Sequence, residues 1–373
     1  MKRFDSIKPA QSISAIRPEV RNLSAYTLIQ VEHEIKANQN ESPFDIPVEL
    51  KKQVFRYAET RSWSRYPKLV PTEFIDELAK YTTWYKEGIL IGNGSDEILQ
   101  ILTLATIERG NKVVMPAPTY GIYKLLSSSL GAQVLEVPLN ADYTFKVDRL
   151  LATVQRETPQ MVFICSPNNP TGCVIHKDEL RLLLSSTKAL IVVDEAYYEF
   201  SGSTCLPLLE KYDNLLILRT FSKAFSLAGL RVGYLLAHPD LVKEIAKVKM
   251  PYNLNFFSIA AATLVLQHRE LLQQRVEYIR QQRDRVFRQM QKIPGVKPYP
   301  SEANFILFEL DKDVKLVFQS LLKEGILIRD VSHYPMLSKA LRVSIGLEEE
   351  NTRFLECLRK AVTEEIIEPQ VVE

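Results

Sequence analysis

The sequence is poor in the residues that build metal centres and disulfide frameworks. Cysteine occurs four times in 373 residues (Cys165, Cys173, Cys205, Cys357), without metal-ligand spacing. Five histidines (His33, His176, His238, His268, His333) are scattered and none belongs to a His-Glu-x-x-His pair, so no metal is expected. A Gly-x-Ser-x-Gly elbow and a Walker A loop are both missing, which removes the enzyme classes built on them. Charge of one sign is scarce in excess. The formal net charge of +2 gives no reason to expect nucleic acid or membrane as a partner. No window approaches the roughly 18 uncharged apolar residues of a membrane span. The start, Met1-Lys2-Arg3-Phe4-Asp5, lacks the apolar stretch of a secretory signal. Reduced thiols without such a signal favour a cytoplasmic setting.

What is present is an ordinary globular balance, 46% apolar and 25% charged, in a chain longer than one core usually supports. Two domains are therefore expected. Residues 1–41, with Pro9 and Pro18, read as an irregular arm joining the smaller domain. Residues 42–250 read as the larger domain. The spacing of Phe74, Leu78, Tyr81 and Tyr85 predicts a helix started by Pro71-Thr72. Short apolar runs follow at 88–92, 112–115, 133–137, 161–164, 189–193, 215–219 and 232–237, with helical patterns at 120–129, 147–155 and 178–185. Seven strands of this kind, buried on both faces, imply a mostly parallel sheet between helices, an α/β fold. Ser95, with acids close behind, reads as a helix N-cap. Residues 251–373 read as one long amphipathic linking helix, Asn255 to Lys292, stopped by Ile293-Pro294-Gly295, and then a small α+β domain.

Three segments follow predicted strand ends, where open α/β sheets bind ligands. The first reads Ser166-Pro167-Asn168-Asn169-Pro170-Thr171-Gly172. The second is Asp194-Glu195-Ala196-Tyr197, and the third runs from Thr220-Phe221-Ser222-Lys223 to Arg231-Val232-Gly233-Tyr234. Each is weak alone, since Ser-Lys-Ala is usually a surface lysine and Asn-Pro-Thr-Gly a turn. Their order together supplies what pyridoxal phosphate needs. The Lys223 amine condenses with an aldehyde, Asp194 pairs with a ring nitrogen, and Asn169 and Tyr197 donate to a phenolate oxygen. Ser222 and Arg231 suit the phosphate, as do Gly94, Ser95 and Asp96 at a helix N-terminus. Tyr120 is placed to stack on the ring.

These motifs resemble the aspartate-aminotransferase-like, fold type I pyridoxal-phosphate enzymes, over nearly the whole chain. Within them the chain is most similar to the histidinol-phosphate aminotransferases. That narrower likeness is carried by 20–26 (Val-Arg-Asn-Leu-Ser-Ala-Tyr), 40–43 (Asn-Glu-Ser-Pro), 65–67 (Arg-Tyr-Pro), 328–330 (Ile-Arg-Asp) and 341–346 (Leu-Arg-Val-Ser-Ile-Gly). The subfamily often has Pro where Ala25 stands and Asn where Ser42 stands. The resemblance implies a homodimer in which Tyr66 reaches the partner's cofactor phosphate. It implies that Arg342 holds the acidic end of the substrate, with Arg329, Asn169 and Tyr26 beside it. The implied reaction is transamination between L-histidinol phosphate and 2-oxoglutarate, in histidine biosynthesis. The alternatives are an aromatic or other amino-acid aminotransferase, a phospho-amino-acid decarboxylase, and a non-catalytic ligand-sensing module.

Overall fold

The structure, a computed structural model, describes residues 11–25, 27 and 31–363. Twelve strands occur among them: β1 (Ile35–Ala37), β2 (Ile89–Gly92), β3 (Lys112–Ala117), β4 (Gln133–Pro138), β5 (Met161–Cys165), β6 (Leu190–Asp194), β7 (Leu215–Thr220), β8 (Gly233–Leu236), β9 (Val296–Pro298), β10 (Phe305–Leu310), β11 (Ile326–Asp330) and β12 (Ala340–Ser344). Seven of them form the larger sheet in the order β2-β8-β7-β6-β5-β3-β4. Only β8 runs against its neighbours in that sheet; the other pairings are parallel.

The apolar runs of β5, β6 and β7 build its centre. Successive strand residues alternate between faces. Val162, Ile164, Ile191, Val193 and Ile217 therefore pack into one apolar layer, and Met161, Phe163, Val192, Leu216 and Leu218 into another. Both faces are covered, which is why these strands read as unbroken apolar runs. The first layer continues into the core of the smaller unit through Phe305, Phe308 and Leu341. That unit holds the second sheet, β1-β11-β12-β10-β9, in which Arg329 of β11 faces Arg342 of β12 across an antiparallel pair.

Three local expectations are corrected. Residues 35–37 are not irregular: they form β1, paired parallel to β11 with Ile35 opposite Ile326. Three residues are too few to show a periodicity, and the partner lies far away in sequence. The stretch from Asn255 to Lys292 is two helices, Phe256–Gln267 and Arg269–Met290, meeting at His268. His268 leaves helical geometry (φ −116, ψ 55). Its Nδ1 lies 2.8 Å from the Leu264 carbonyl, and Arg269 Nε donates to the Leu266 carbonyl at 3.0 Å. Side chains thus satisfy carbonyls that a continuous helix would have used. The first of these helices packs on Val48–Glu59 and Thr72–Thr82 of the larger unit, and the second reaches Glu348–Thr363 of the smaller one. Finally, Ser95 is not a cap. The cap position lies two residues earlier, at Asn93, before the helix Gly94–Thr106, and Glu97 accepts from the Asn93 backbone N–H at 2.5 Å.

Candidate active site

The C-terminal ends of β3, β5, β6 and β7 open on a cavity of about 380 Å³, closed on the other side by residues 38–40 and by Arg329, Tyr334 and Arg342 of the smaller unit. Ser95, Asp96, Tyr120, Asn169, Asp194, Tyr197, Ser222, Lys223 and Arg231 also line it. Segments distant in sequence meet here because parallel strands all present the same end to one edge of the sheet.

Lys223 follows β7 and sits largely buried, its Nζ donating to the Gln39 carbonyl at 2.8 Å. Burial lowers its pKa to about 8, and the cations Arg342 and Arg231 push the same way, against Glu41 and Asp96. Asp194 is the last residue of β6 and is 4% exposed. Its Oδ2 accepts from the Tyr123 hydroxyl at 2.6 Å, and its Oδ1 accepts from the Ala196 N–H at 3.0 Å. Burial nevertheless raises its pKa to about 6, because the bonds to Tyr123 and Ala196 only partly offset desolvation. A cation seated beside it would recover that cost. Tyr123 itself is fixed by stacking on Phe163, with ring centroids 4.8 Å apart.

At the opposite wall Arg231 adopts a left-handed backbone (φ 50) that turns its guanidinium towards the start of the helix Gly94–Thr106. Its Nη1 donates to Ser222 Oγ at 3.2 Å and its Nη2 to Asp96 Oδ2 at 3.1 Å. Two glycines make this approach feasible. A Cβ on Gly94 (φ +77) would lie 2.5 Å from Arg231 Nη2, and one on Gly233 would lie 2.4 Å from the Ser95 nitrogen. A helix N-terminus, a hydroxyl and a guanidinium together suit a phosphate. Asp96 has a different part. Its carboxylate accepts from Arg231 and from the Tyr120 hydroxyl (3.1 Å) and so orients both.

Asn169 and Arg342 are joined: Arg342 Nη1 donates to Asn169 Oδ1 at 2.5 Å, and Nη2 to the Asn38 carbonyl at 2.7 Å. Arg342 is buried and its guanidinium lies 5.1 Å from the Phe305 ring centroid. Tyr197 packs edge-on against Phe305 and accepts from Asn40 Nδ2 at 3.0 Å. Tyr66 is not brought to the cavity. It is 81% exposed and stacks on Tyr252 elsewhere on the surface. Tyr26 lies outside the described residues.

Sequence reasoning assigned no role to Tyr123 or to the strap Asn38–Asn40. Tyr123 could have been found as the aromatic residue that shares the buried face of the helix Ile122–Ser129 with Ser127. Asn40 stands in the 40–43 motif of the resemblance, but nothing in the sequence placed the strap at the site, which it reaches through the pairing of β1 with β11.

Residues 32–358 match the family Aminotransferase class I and II. The histidinol-phosphate aminotransferase of Thermoanaerobacter sp. (strain X514) is 38% identical over 345 residues, 92% of this chain and 98% of its own length. That of Prosthecochloris aestuarii is 38% identical over 347 residues, 92% of this chain and 97% of its own. Among solved structures, the histidinol-phosphate aminotransferase of Sinorhizobium meliloti in complex with pyridoxal-5'-phosphate aligns with a TM-score of 0.85 at 24% identity, over 94% of this chain and 98% of that one. A Thermus thermophilus aspartate aminotransferase mutant aligns at 0.75 and 20% identity, over 95% and 99%. Both alignments span the larger and the smaller unit of this chain. With a match spanning residues 32–358 and full-length relatives at 38% identity, the chain belongs to the aminotransferase class I and II family.

Proposed function

We propose that this protein is a pyridoxal-phosphate-dependent transaminase acting on L-histidinol phosphate and 2-oxoglutarate, or on imidazole-acetol phosphate and glutamate in the direction of histidine biosynthesis. The observation that carries it is one cavity with a depressed-pKa lysine and a buried, anchored carboxylate on one wall and two arginines, Arg329 and Arg342, on the other. The full-length relatives named for this activity support the substrate.

The residues present fit the cofactor. Asp194 offers a buried anion held at both oxygens, which a protonated ring nitrogen would neutralise. Ser222, Arg231 and the start of the helix Gly94–Thr106 offer donors for its phosphate. When bound, the cofactor supplies an aldehyde and an electron sink for the substrate's α carbon. The chain supplies the rest. Lys223 must lose its proton before its amine can act as a nucleophile. At pH 7.5 a group with a pKa of about 8 is roughly one-quarter neutral, against about one part in a thousand at the ordinary value. The same amine would be placed to carry a proton to and from the substrate's α carbon. Arg342 presents a planar, permanently charged fork that can take a carboxylate or a phosphate, so one site serves both substrates. Arg329 adds a second cation beside it. Tyr120 would cover one face of the ring.

The working unit in this reading is a cytoplasmic homodimer. The surface around Tyr66 supports it: Trp63 is 71% exposed and packs edge-on to Phe257, while Tyr66 lies on Tyr252. Sedimentation of the holoenzyme at micromolar concentration checks the assembly, and a monomer refutes it. The substrate is tested by steady-state comparison of histidinol phosphate with tyrosine, phenylalanine and aspartate as donors to 2-oxoglutarate. A higher kcat/KM for any of the other three refutes the assignment. Carbon dioxide release without a second amino acid would reveal a decarboxylase instead.

A further inference from the structure

We infer that Asn40, oriented by Ser344, is a positioning residue that fixes the direction of the Tyr197 hydroxyl proton. The backbone N–H of Asn40 donates to Ser344 Oγ at 2.9 Å. An amide N–H can only donate, so the Ser344 oxygen accepts there, and in the structure its hydroxyl donates to Asn40 Oδ1, 3.0 Å away. An accepting Oδ1 assigns the other end of the amide as Nδ2, which donates to the Tyr197 hydroxyl oxygen at 3.0 Å. That oxygen therefore accepts from Asn40, and the Tyr197 proton has to leave in another direction. Tyr197 lines the cavity, so that direction is towards a ligand in it.

Asn40 is held at every polar group. Asn304 Nδ2 donates to its carbonyl at 3.0 Å, completing the set. The residue is 1% exposed and has φ +55, a left-handed conformation that asparagine tolerates better than most residues. Asn169 is fixed in the same manner. The Arg342 guanidinium cannot accept, so Asn169 Oδ1 is committed to it and the amide NH₂ of Asn169 remains as a donor at the cavity. The relay begins on β12 in the smaller unit and ends on the larger one. A hydroxyl locked as a donor suits an oxyanion, and the inference rests on the reading that pyridoxal phosphate, with its phenolate oxygen, occupies the cavity.

A donor to an anionic oxygen favours the deprotonated form of the group it touches. Its loss or misdirection raises the pH at which the cofactor's visible absorption changes, by up to about one unit for one hydrogen bond to a charged group. The experiment is a spectrophotometric pH titration of the holoenzyme. Asn40→Gly keeps the left-handed backbone and deletes the amide; Ser344→Ala frees the amide to rotate. Both are expected to move the midpoint upward, whereas Ser344→Thr, which keeps the hydroxyl, stays at the native midpoint. In a Tyr197→Phe background, Asn40→Gly is expected to add nothing, because its effect passes through the lost hydroxyl. An unmoved midpoint in Asn40→Gly, or an equal shift with phenylalanine at 197, overturns the proposal. Should Asn40→Gly fail to fold, the Ser344→Ala and Ser344→Thr pair decides by the same readout. If the unmodified protein acquires no visible band with pyridoxal phosphate, the cofactor reading itself fails, and this proposal falls with it.

Discussion

Replacing Gly94 by alanine separates the phosphate site from the rest of the cavity. The new methyl group would meet Arg231 Nη2 at 2.5 Å and Cζ at 3.0 Å, closer than side chains approach one another. Arg231 is free to give way. Its bonds to Ser222 (3.2 Å), Ala228 (3.3 Å) and Asp96 (3.1 Å) are long, and the pair with Asp96 is 42% and 46% exposed, so breaking it costs little. The stability loss is then mainly the left-handed backbone at φ +77, about 1–2 kcal/mol for a residue with a Cβ. Cofactor affinity suffers more, because a displaced guanidinium forfeits a charge-assisted bond to phosphate. At about 1.5–3 kcal/mol, that is a loss of roughly ten- to a hundred-fold. The assay is the Kd of pyridoxal phosphate by absorption titration, set against that of pyridoxal, which lacks the phosphate. The Gly94→Ala variant should lose affinity for the former alone. Gly229→Ala, two residues before Arg231 but with open space around the added carbon, should match the unmodified protein for both. Equal weakening of the two ligands, or of neither, refutes the assignment of the phosphate site.

The Lys223 amine, with its pKa lowered to about 8, should take up the aldehyde cofactor at a rate that rises with pH and levels off above about 8; continued growth towards pH 10 in stopped-flow absorbance would contradict it. Lys223→Ala should still bind the cofactor yet show no transamination, and substantial turnover by that variant removes the assigned role. Arg342→Lys keeps the charge but loses the fork that spans Asn169 and the Asn38 carbonyl; KM for both substrates should rise about ten-fold or more, with kcat less affected. Glu199 is a buried carboxyl whose pKa burial raises from 4.5 to about 8. Its folded-state pKa exceeds the unfolded value, so its contribution to stability is full below 4.5 and is lost as pH rises through about 8, by at most about 5 kcal/mol. Glu199→Gln should therefore flatten the decline of Tm between pH 5 and 9, and identical slopes for the two proteins would disprove it.

What the sequence revealed and what it hid divide along physical lines. The strands β5, β6 and β7 were legible because a strand covered on both faces must be apolar at every position. The site residues beyond their ends were legible because each motif is contiguous and follows such a run: Asn169 after β5, Asp194 ending β6, Lys223 after β7. The break at His268 was hidden, since it uses neither proline nor glycine. There a histidine and an arginine side chain occupy the Leu264 and Leu266 carbonyls, and an apolar run passes into a charged one with no turn residue between them. Hidden too was the strap Asn38–Asn40, whose position depends on a three-residue strand finding β11.

That hidden strap bears on the chemistry as much as the legible motifs do. Its three consecutive residues contact three different functional groups: the Asn38 carbonyl accepts from Arg342, the Gln39 carbonyl from Lys223, and the Asn40 side chain donates to Tyr197. Two of these partners belong to the larger unit and one to the smaller. A shift of β1 along β11 by a single residue would turn the strap's side chains to the opposite face and break all three contacts together. The alternation of buried Ile35 and Ala37 around exposed Lys36 is what resists such a shift. The precision of the active site therefore depends on a register set by two apolar side chains at the far edge of the smaller sheet.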